Sequence, residues 1–338
     1  MKTVFFMGAG FSAPFGLPTM NEFLNEIART DRISQEDKEF IYGLVLDARR
    51  ANSILESSPT NLEDLLSFAV MGDRIVILGD KEEPKGPRIK YILHRIYSAL
   101  ESTKFDTYWD DFKQFSIFLG QDLTKIKSNI SFVTTNYDLI IECTLFESGL
   151  NALLPFQYKT TYDKHGRLFY DKTDGIPLFK LHGSLNWFEN DKGEIAIDDR
   201  LIEVTMNPEK KNLLPAQYID NYKSPGDILL IPPTFLKPDL PPELMKNWSG
   251  AAQEIQRAEI LVFVGYSFPS SDIEMKYFLA RSLENNAVLR KIIIVNPDAN
   301  QICNRLKKPK SGYGSHFKDF LEPLPGRWGE LKLSIDSL

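Results

Sequence analysis

The chain has 338 residues, 43% of them hydrophobic and 25% charged, an ordinary globular composition with length enough for a substantial core. Its formal net charge of -6 argues against tight non-specific binding to nucleic acid, which needs basic stripes. Two cysteines, Cys143 and Cys303, exclude a disulfide scaffold and a four-cysteine zinc site, and no apolar run reaches signal-peptide or membrane-spanning length, so the expected setting is a reducing cytoplasm.

Residues 3–7 read as a short buried strand, stopped by Gly8. Residues 8–16 read as a loop, and Thr19 as the cap of a helix over 20–28 with Glu22 in its first turn. From 34 to about 124 helical patterns dominate, with one start at Ser34, another at Asn61, and apolar residues at helical spacing over 90–100. Residues 31–127 are therefore expected to form a helical insertion, with a surface loop at 80–87.

A second strand is expected over 130–135 and a helix over 138–148. A third strand over 178–181 ends at His182 and Gly183. Residues 185–197 read as a hairpin, and 224–242 as a proline-rich loop around a short strand at 228–231; together they make a smaller insertion over 184–258. A helix over 244–258, a strand over 260–264, a helix over 272–283, a strand over 291–295 and a helix over 299–306 follow. The last residues read as polar and poorly patterned. Short apolar strands alternating with helices predict an α/β class: a Rossmann-like parallel sheet covered by helices, in one domain spanning 1–338.

In such sheets ligands bind beyond the carboxyl ends of the strands. Five polar or glycine-rich segments fall there. Gly8, Ala9, Gly10 and Ser12 follow the first strand, where glycines let a backbone approach a pyrophosphate; a plain turn is the alternative. Thr135, Asn136 and Asp138 follow the second, as helix caps or as site residues. His182 ends the third beside a glycine, a setting for a general base or a hydrogen-bonding partner. Gly265 and Ser267 follow the next strand, and Asn296 closes the last, where a polar residue meets a ribose or adenine edge or simply turns the chain.

Taken in order, Gly-Ala-Gly-x-Ser at Gly8, Thr-x-Asn-x-Asp ending at Asp138, His182-Gly183, Gly-x-Ser at Gly265 and Asn296 resemble the sirtuin family along nearly the whole chain. The resemblance implies that NAD is bound as a substrate. Gly8, Ala9, Gly10 and Ser12 would line its diphosphate, and Thr135 the cofactor pocket. Asn136 and Asp138 would lie by the nicotinamide ribose, with His182 as base or ribose-hydroxyl partner. Gly265, Ser267 and Asn296 would hold the adenosine half. Classical sirtuin deacetylases carry a four-cysteine zinc module and a Gly-Ile-Pro-Asp-Phe-Arg segment; this chain has neither the cysteines nor, at 15–20, that Asp and Arg. It looks more like the zinc-less sirtuin-like NADases of bacterial antiphage defence.

That resemblance implies an NAD glycohydrolase that releases nicotinamide and ADP-ribose, without zinc. A homo-oligomer is expected, controlled by a separate trigger protein such as an ATPase, because the chain ends soon after its last motif. The alternatives are an NAD-dependent protein deacylase, a non-catalytic NAD or ADP-ribose sensor in a larger assembly, and an ADP-ribosyl transferase. No membrane partner is expected.

Overall fold

The computed structural model describes residues 1–15, 17–19, 22–30, 33–55, 65, 67–69, 88–93, 129–150, 152–154, 160–162, 168–170, 175–189, 195–197, 228–231, 242–269, 272–308, 311 and 313–328. In chain order the elements named here are β1 (Thr3–Met7), α1 (Ala9–Ser12), α2 (Phe23–Arg29), α3 (Gln35–Leu55), β2 (Ile130–Thr134), α4 (Ile140–Glu147), β3 (Ala152–Leu153), β4 (Thr160–Tyr162), β5 (Leu168–Tyr170) and β6 (Ile176–Lys180). They continue with β7 (Gly183–Glu189), β8 (Ile195–Ile197), β9 (Ile228–Leu230), α5 (Pro242–Gln256), β10 (Ile260–Val264), α6 (Ile273–Glu284), β11 (Lys291–Val295), α7 (Ala299–Lys307), α8 (Ser315–Lys318) and β12 (Leu321–Leu324). The chain folds as two compact units.

The first unit comprises residues 1–15, 106–181 and 241–338. Its centre is a sheet in the order β12-β11-β10-β1-β2-β6-β3, parallel at every junction. This is the expected Rossmann-like α/β sheet. Both faces are covered, so its inner strands are buried at every residue and mostly apolar rather than alternating. On one face Val4, Phe6, Val133, Phe179, Leu261, Phe263, Ile292 and Ile294 share a core with Ala251 and Ile255 of α5, Met275 and Leu279 of α6, and Ile302 and Leu306 of α7. On the other face Phe5 packs on Phe132, with ring centroids 5.6 Å apart, and meets the edge of Trp328. Burying one such aromatic side chain contributes roughly 2–3 kcal/mol. A Phe132→Ala change would open a cavity at a cost of about 3–5 kcal/mol. Within this unit β4 and β5 form an antiparallel pair.

Two expectations for this unit need correction. Residues 8–16 are not a simple loop: Ala9–Ser12 is helical and Ala13–Phe15 forms a 3-10 turn. The turn closes when the Phe11 N–H donates to the Gly8 carbonyl, and it is held by burial of Phe11 against Phe15 at 5.6 Å. The poorly patterned tail also holds an element with no sequence expectation, since Leu321–Leu324 adds the edge strand beside β11. An edge strand with one wet face needs few apolar residues and tolerates Pro323, so its sequence signal is faint.

The second unit comprises residues 16–105 and 182–240. The expected hairpin is present, with Trp187 opposite Ile197, and β9 adds a third antiparallel strand on the far side of β7. In the helical part α3 buries Ile41, Leu44 and Ala48 at helical spacing. Its start is capped as the sequence suggests: Ser34 Oγ accepts from the Asp37 N–H at 3.0 Å. Arg88 then ties that end down, donating to Asp37 and Glu36 and lying 4.5 Å over the Phe40 ring. Helix α2 begins at Phe23, after Glu22 accepts from the N–H and hydroxyl of Thr19. The expected start at Asn61 and the 80–87 loop lie outside the described residues, as does most of 90–100. Among the described residues no helix is long and apolar enough to cross a membrane.

Candidate functional site

The parallel register brings five strand ends of the first unit into one line. Met7 pairs with Val264 and with Thr134, Val264 with Val295, and Thr134 with Lys180. The residues just beyond, Gly8, Thr135, Gly265 and Asn296, therefore share the carboxyl edge where such sheets bind ligands. The hydrogen-bond ladder runs one step further than the strands: Gly8 N–H donates to the Val264 carbonyl and Gly265 N–H to that of Val295, both at 2.9 Å.

The glycines have a steric cause visible here. Gly265 adopts φ +64, and a Cβ there would stand 2.1 Å from the Phe11 nitrogen. A Cβ on Gly10 would meet the Gly265 Cα at 2.9 Å. The two loops are locked together, and the Gly10 N–H donates to the Gly265 carbonyl at 2.9 Å. Ala9 opens α1 directly behind them. Beyond Gly265, Ser267 is exposed and its carbonyl accepts from Arg305. Next to it Phe268 is a non-glycine residue at φ 52, a strained conformation costing of order 1–3 kcal/mol. Its ring, wedged against Phe263 at 4.6 Å and Tyr266 at 4.8 Å, holds it there. Asn296 makes a tight turn, its Oδ1 accepting from the Asp298 N–H at 2.9 Å and its carbonyl from Ala299 at 3.0 Å. This is the turn chemistry that an Asn-Pro-Asp sequence favours.

Asn136, Asp138 and Ser12 form the polar centre of this edge. Thr134 is buried at the end of β2; its hydroxyl donates to the Met7 carbonyl and accepts from the Asn136 N–H, both at 3.0 Å. Nδ2 of Asn136 donates to the Gly8 carbonyl and to Ser12 Oγ, both at 2.9 Å. Ser12 in turn donates to Oδ2 of Asp138 at 2.6 Å. Oδ1 of Asp138 accepts from the Ile140 N–H at 3.2 Å, a turn bond just ahead of α4. A serine has one hydrogen to give, so giving it to Asp138 leaves Ser12 only lone pairs for Asn136. A carbonyl oxygen such as that of Gly8 also only accepts. Both neighbours therefore require the amide nitrogen inward, and Oδ1 of the half-buried Asn136 is left as its free acceptor among the described residues.

Sequence reasoning missed the layer beneath. Lys180, wholly buried at the end of β6, is ion-paired with Glu142 of α4 at 2.8 Å. Burial pushes the Asp138 carboxyl above the usual carboxylate range, and the Lys180 charge opposes that. Glu142 is raised for the same reason and opposed by the same lysine. Its Oε2 is a buried atom with no hydrogen-bond partner among the described residues. The available signal was the lysine itself, since a charge in an otherwise apolar buried strand must have found a partner.

His182 belongs to the second unit, at the head of β7, and is buried. Its carbonyl accepts from the Ile231 N–H at 2.8 Å. Gly183 beside it has φ +85, and a Cβ there would fall 2.0 Å from the Leu229 carbonyl oxygen. The glycine after this histidine is thus required by the close approach of β9. Among the described residues no group of three or more His, Cys, Asp or Glu is placed to hold a metal ion.

Comparison with known proteins adds a family. The profile of the family described as SIR2-like domain matches residues 130–313, more than half of the chain. No curated protein matches it. Similar solved structures include a Sir2 homologue in complex with NAD, 16% identical with TM-score 0.37 over 98% of this chain and 86% of that one. Another is a Sir2 complex with a p53 peptide and NAD+, 14% identical with TM-score 0.36 over 98% of this chain and 90% of that one. At such identities and scores the assignment rests on the family profile and not on these structures.

Proposed function

We propose, because the chain belongs to the SIR2-like domain family, that it is an NAD-utilising enzyme and that the reaction is hydrolysis of NAD to nicotinamide and ADP-ribose. The observation that carries this reading is the fixed amide of Asn136. Both of its Nδ2 hydrogens are spent on Gly8 and Ser12, so it presents an acceptor oxygen at the carboxyl edge of the sheet. An acceptor held that way suits a water or a ribose hydroxyl.

In the proposed reaction the bond between nicotinamide nitrogen and ribose carbon breaks, and the bonding pair leaves with nicotinamide, neutralising its positive ring. Water adds to the ribose carbon and gives up a proton. Asn136 orients that water, and His182 is assigned the proton, taken through a ribose hydroxyl. Gly8, Ala9, Gly10, Ser12 and Thr135 are assigned to the diphosphate and pocket side, and Gly265, Ser267 and Asn296 to the adenosine half. Neutral leaving nicotinamide needs no strong acid, which agrees with a site whose conspicuous parts are hydrogen-bonding groups. A role as an effector of antiphage defence, acting as an oligomer under a trigger protein, extends the same reading.

The test is incubation of the purified full chain with NAD, alone and with a candidate trigger protein, followed by chromatography for nicotinamide and ADP-ribose. Release of both, lost in Asn136→Ala and His182→Ala, is the expected result. Release of nicotinamide only when an acylated peptide is present would replace hydrolysis with deacylation. Bound but unconsumed NAD would make the chain a sensor.

A further inference from the structure

Lys180 ends β6 with its side chain wholly out of water. An ammonium has three hydrogens to give, and three acceptors surround this one: Oε1 of Glu142 at 2.8 Å, the Tyr137 carbonyl at 3.3 Å and the Asp138 carbonyl. Two of the three belong to the turn that carries Asn136 and Asp138. The carbonyl of Lys180 itself accepts from Nδ2 of Asn247, which fixes the lysine's own main chain. The stability of the strand does not call for a charge at this place. The rest of β6 is Ile-Pro-Leu-Phe, and a buried ion pair is often no better than apolar packing of similar volume.

Resting on the reading of Asn136 as the group that meets the substrate, we infer that Lys180 is a positioning residue of this site. It clamps the Tyr137–Asp138 turn through two carbonyls, sets a positive charge beneath the Asp138 carboxylate, and so fixes the direction of the Asp138–Ser12–Asn136 hydrogen-bond chain. With Asp138 ionised, the Ser12 hydrogen must point to it, and Asn136 must turn its nitrogen inward. With Asp138 protonated, the carboxyl brings a hydrogen of its own. The Ser12 hydrogen is then released to compete for the Asn136 oxygen, and the amide loses one of the two constraints that present that oxygen outward.

The charges that face Asp138 among the described residues of this unit are Lys180 from β6 and Glu142 from α4; Ser12 from α1 is its neutral partner. Burial drives both carboxyls toward their protonated forms, and Lys180 is the one cation opposing it on both. Two carboxylates thus depend on a single lysine. Lys180→Met removes the charge at similar length. Glu142→Gln keeps an acceptor for Lys180 but leaves its charge to Asp138 alone.

The experiment is a pH titration of the Asp138 carboxyl by 13C NMR in full-length, aspartate-labelled protein, assigned with Asp138→Asn. Its midpoint is expected to rise in Lys180→Met and to fall in Glu142→Gln. The acid limb of the kcat/KM profile should follow in each direction. At neutral pH Lys180→Met should lower kcat at least about 10-fold while KM moves less than about 3-fold. A purely structural lysine would move the Asp138 midpoint through its charge alone, and would leave the acid limb of kcat/KM and the neutral-pH kcat where they are. Unmoved midpoints in both folded variants would overturn the inference. If Lys180→Met does not fold, Glu142→Gln decides alone: a lower midpoint matched by a lower acid limb of kcat/KM supports the clamp, and an unchanged midpoint or an unmoved limb removes it. A wild-type chain that leaves NAD intact removes the proposed hydrolysis, while the titration still reads the clamp.

Discussion

The two ends of the parallel sheet use the same three residue types in opposite ways. At the amino end Lys2 pairs with Glu254 at 2.5 Å and donates to Ser131 Oγ at 2.6 Å, and Ser131 donates to the same Glu254. One lysine, one carboxylate and one serine close on each other. At the carboxyl end Lys180 serves both Glu142 and Asp138, Ser12 passes the chain outward, and it ends on Asn136 with an acceptor left over. One Glu142 oxygen stays unpartnered among the described residues. A network that closes contributes to folding alone. One with an excess carboxylate and an open end holds something ready for a ligand, at some cost to stability.

Substitutions at the two ends should therefore separate activity from stability. The largest effect is expected for Asn136→Ala, which should lower NAD turnover by about 100-fold or more with little change in the denaturation midpoint. Similar turnover in that variant, measured by nicotinamide release, would place the open end of the network elsewhere. Ser12→Ala should be intermediate on both scales: it cuts the link between Asp138 and Asn136, lowers turnover roughly 10-fold, and costs about 1–3 kcal/mol of stability in urea because a buried carboxylate loses its donor. At the opposite end Glu254→Ala should cost about 3 kcal/mol in the same urea measurement and leave turnover within about 2-fold. A large loss of turnover there would end the distinction between the two ends.

The smallest effect concerns pH. Asp138 and Glu142 are both held above the ordinary carboxyl range, so the folded chain keeps protons that the unfolded chain has already released. Stability must then fall as pH rises through and above the ordinary range, since the native state binds more protons there. Glu142→Gln removes one such group, and urea midpoints measured across acidic pH should slope less steeply in that variant than in wild type.

Much of this molecule was legible from residue order. Strand β1 and strands β10 and β11 stand where short apolar runs bounded by glycine or polar turns put them, and Asp272 caps α6 through the Met275 N–H at 3.2 Å. These are local matters: burial on both faces demands an unbroken apolar run, and a cap is read within four residues. The strand-end motifs were legible for the same reason, with Gly8, Thr135, Gly265 and Asn296 each one step past an apolar run.

Pairing was not legible, because it joins residues far apart in the chain. That β1 lies between β2 and β10 is decided by which apolar faces close one core. The faint edge strand β12 exists only because β11 offers it a partner. Gly10 and Gly265 were marked for a ligand, yet their lack of side chains is first required by each other. Lys180 looked like an ordinary residue before a histidine until the fold set it 38 positions from Glu142 in sequence and 2.8 Å from it in space. The sequence by itself determined the inner strands, the helices that follow them, their order and the polar residues at strand ends, because those follow from periodicity and turn chemistry. Only the tertiary structure decided which atom of Asn136 is left to meet a ligand, because that depends on the hydrogen-bond partners that Ser12, Gly8 and Lys180 bring from distant segments.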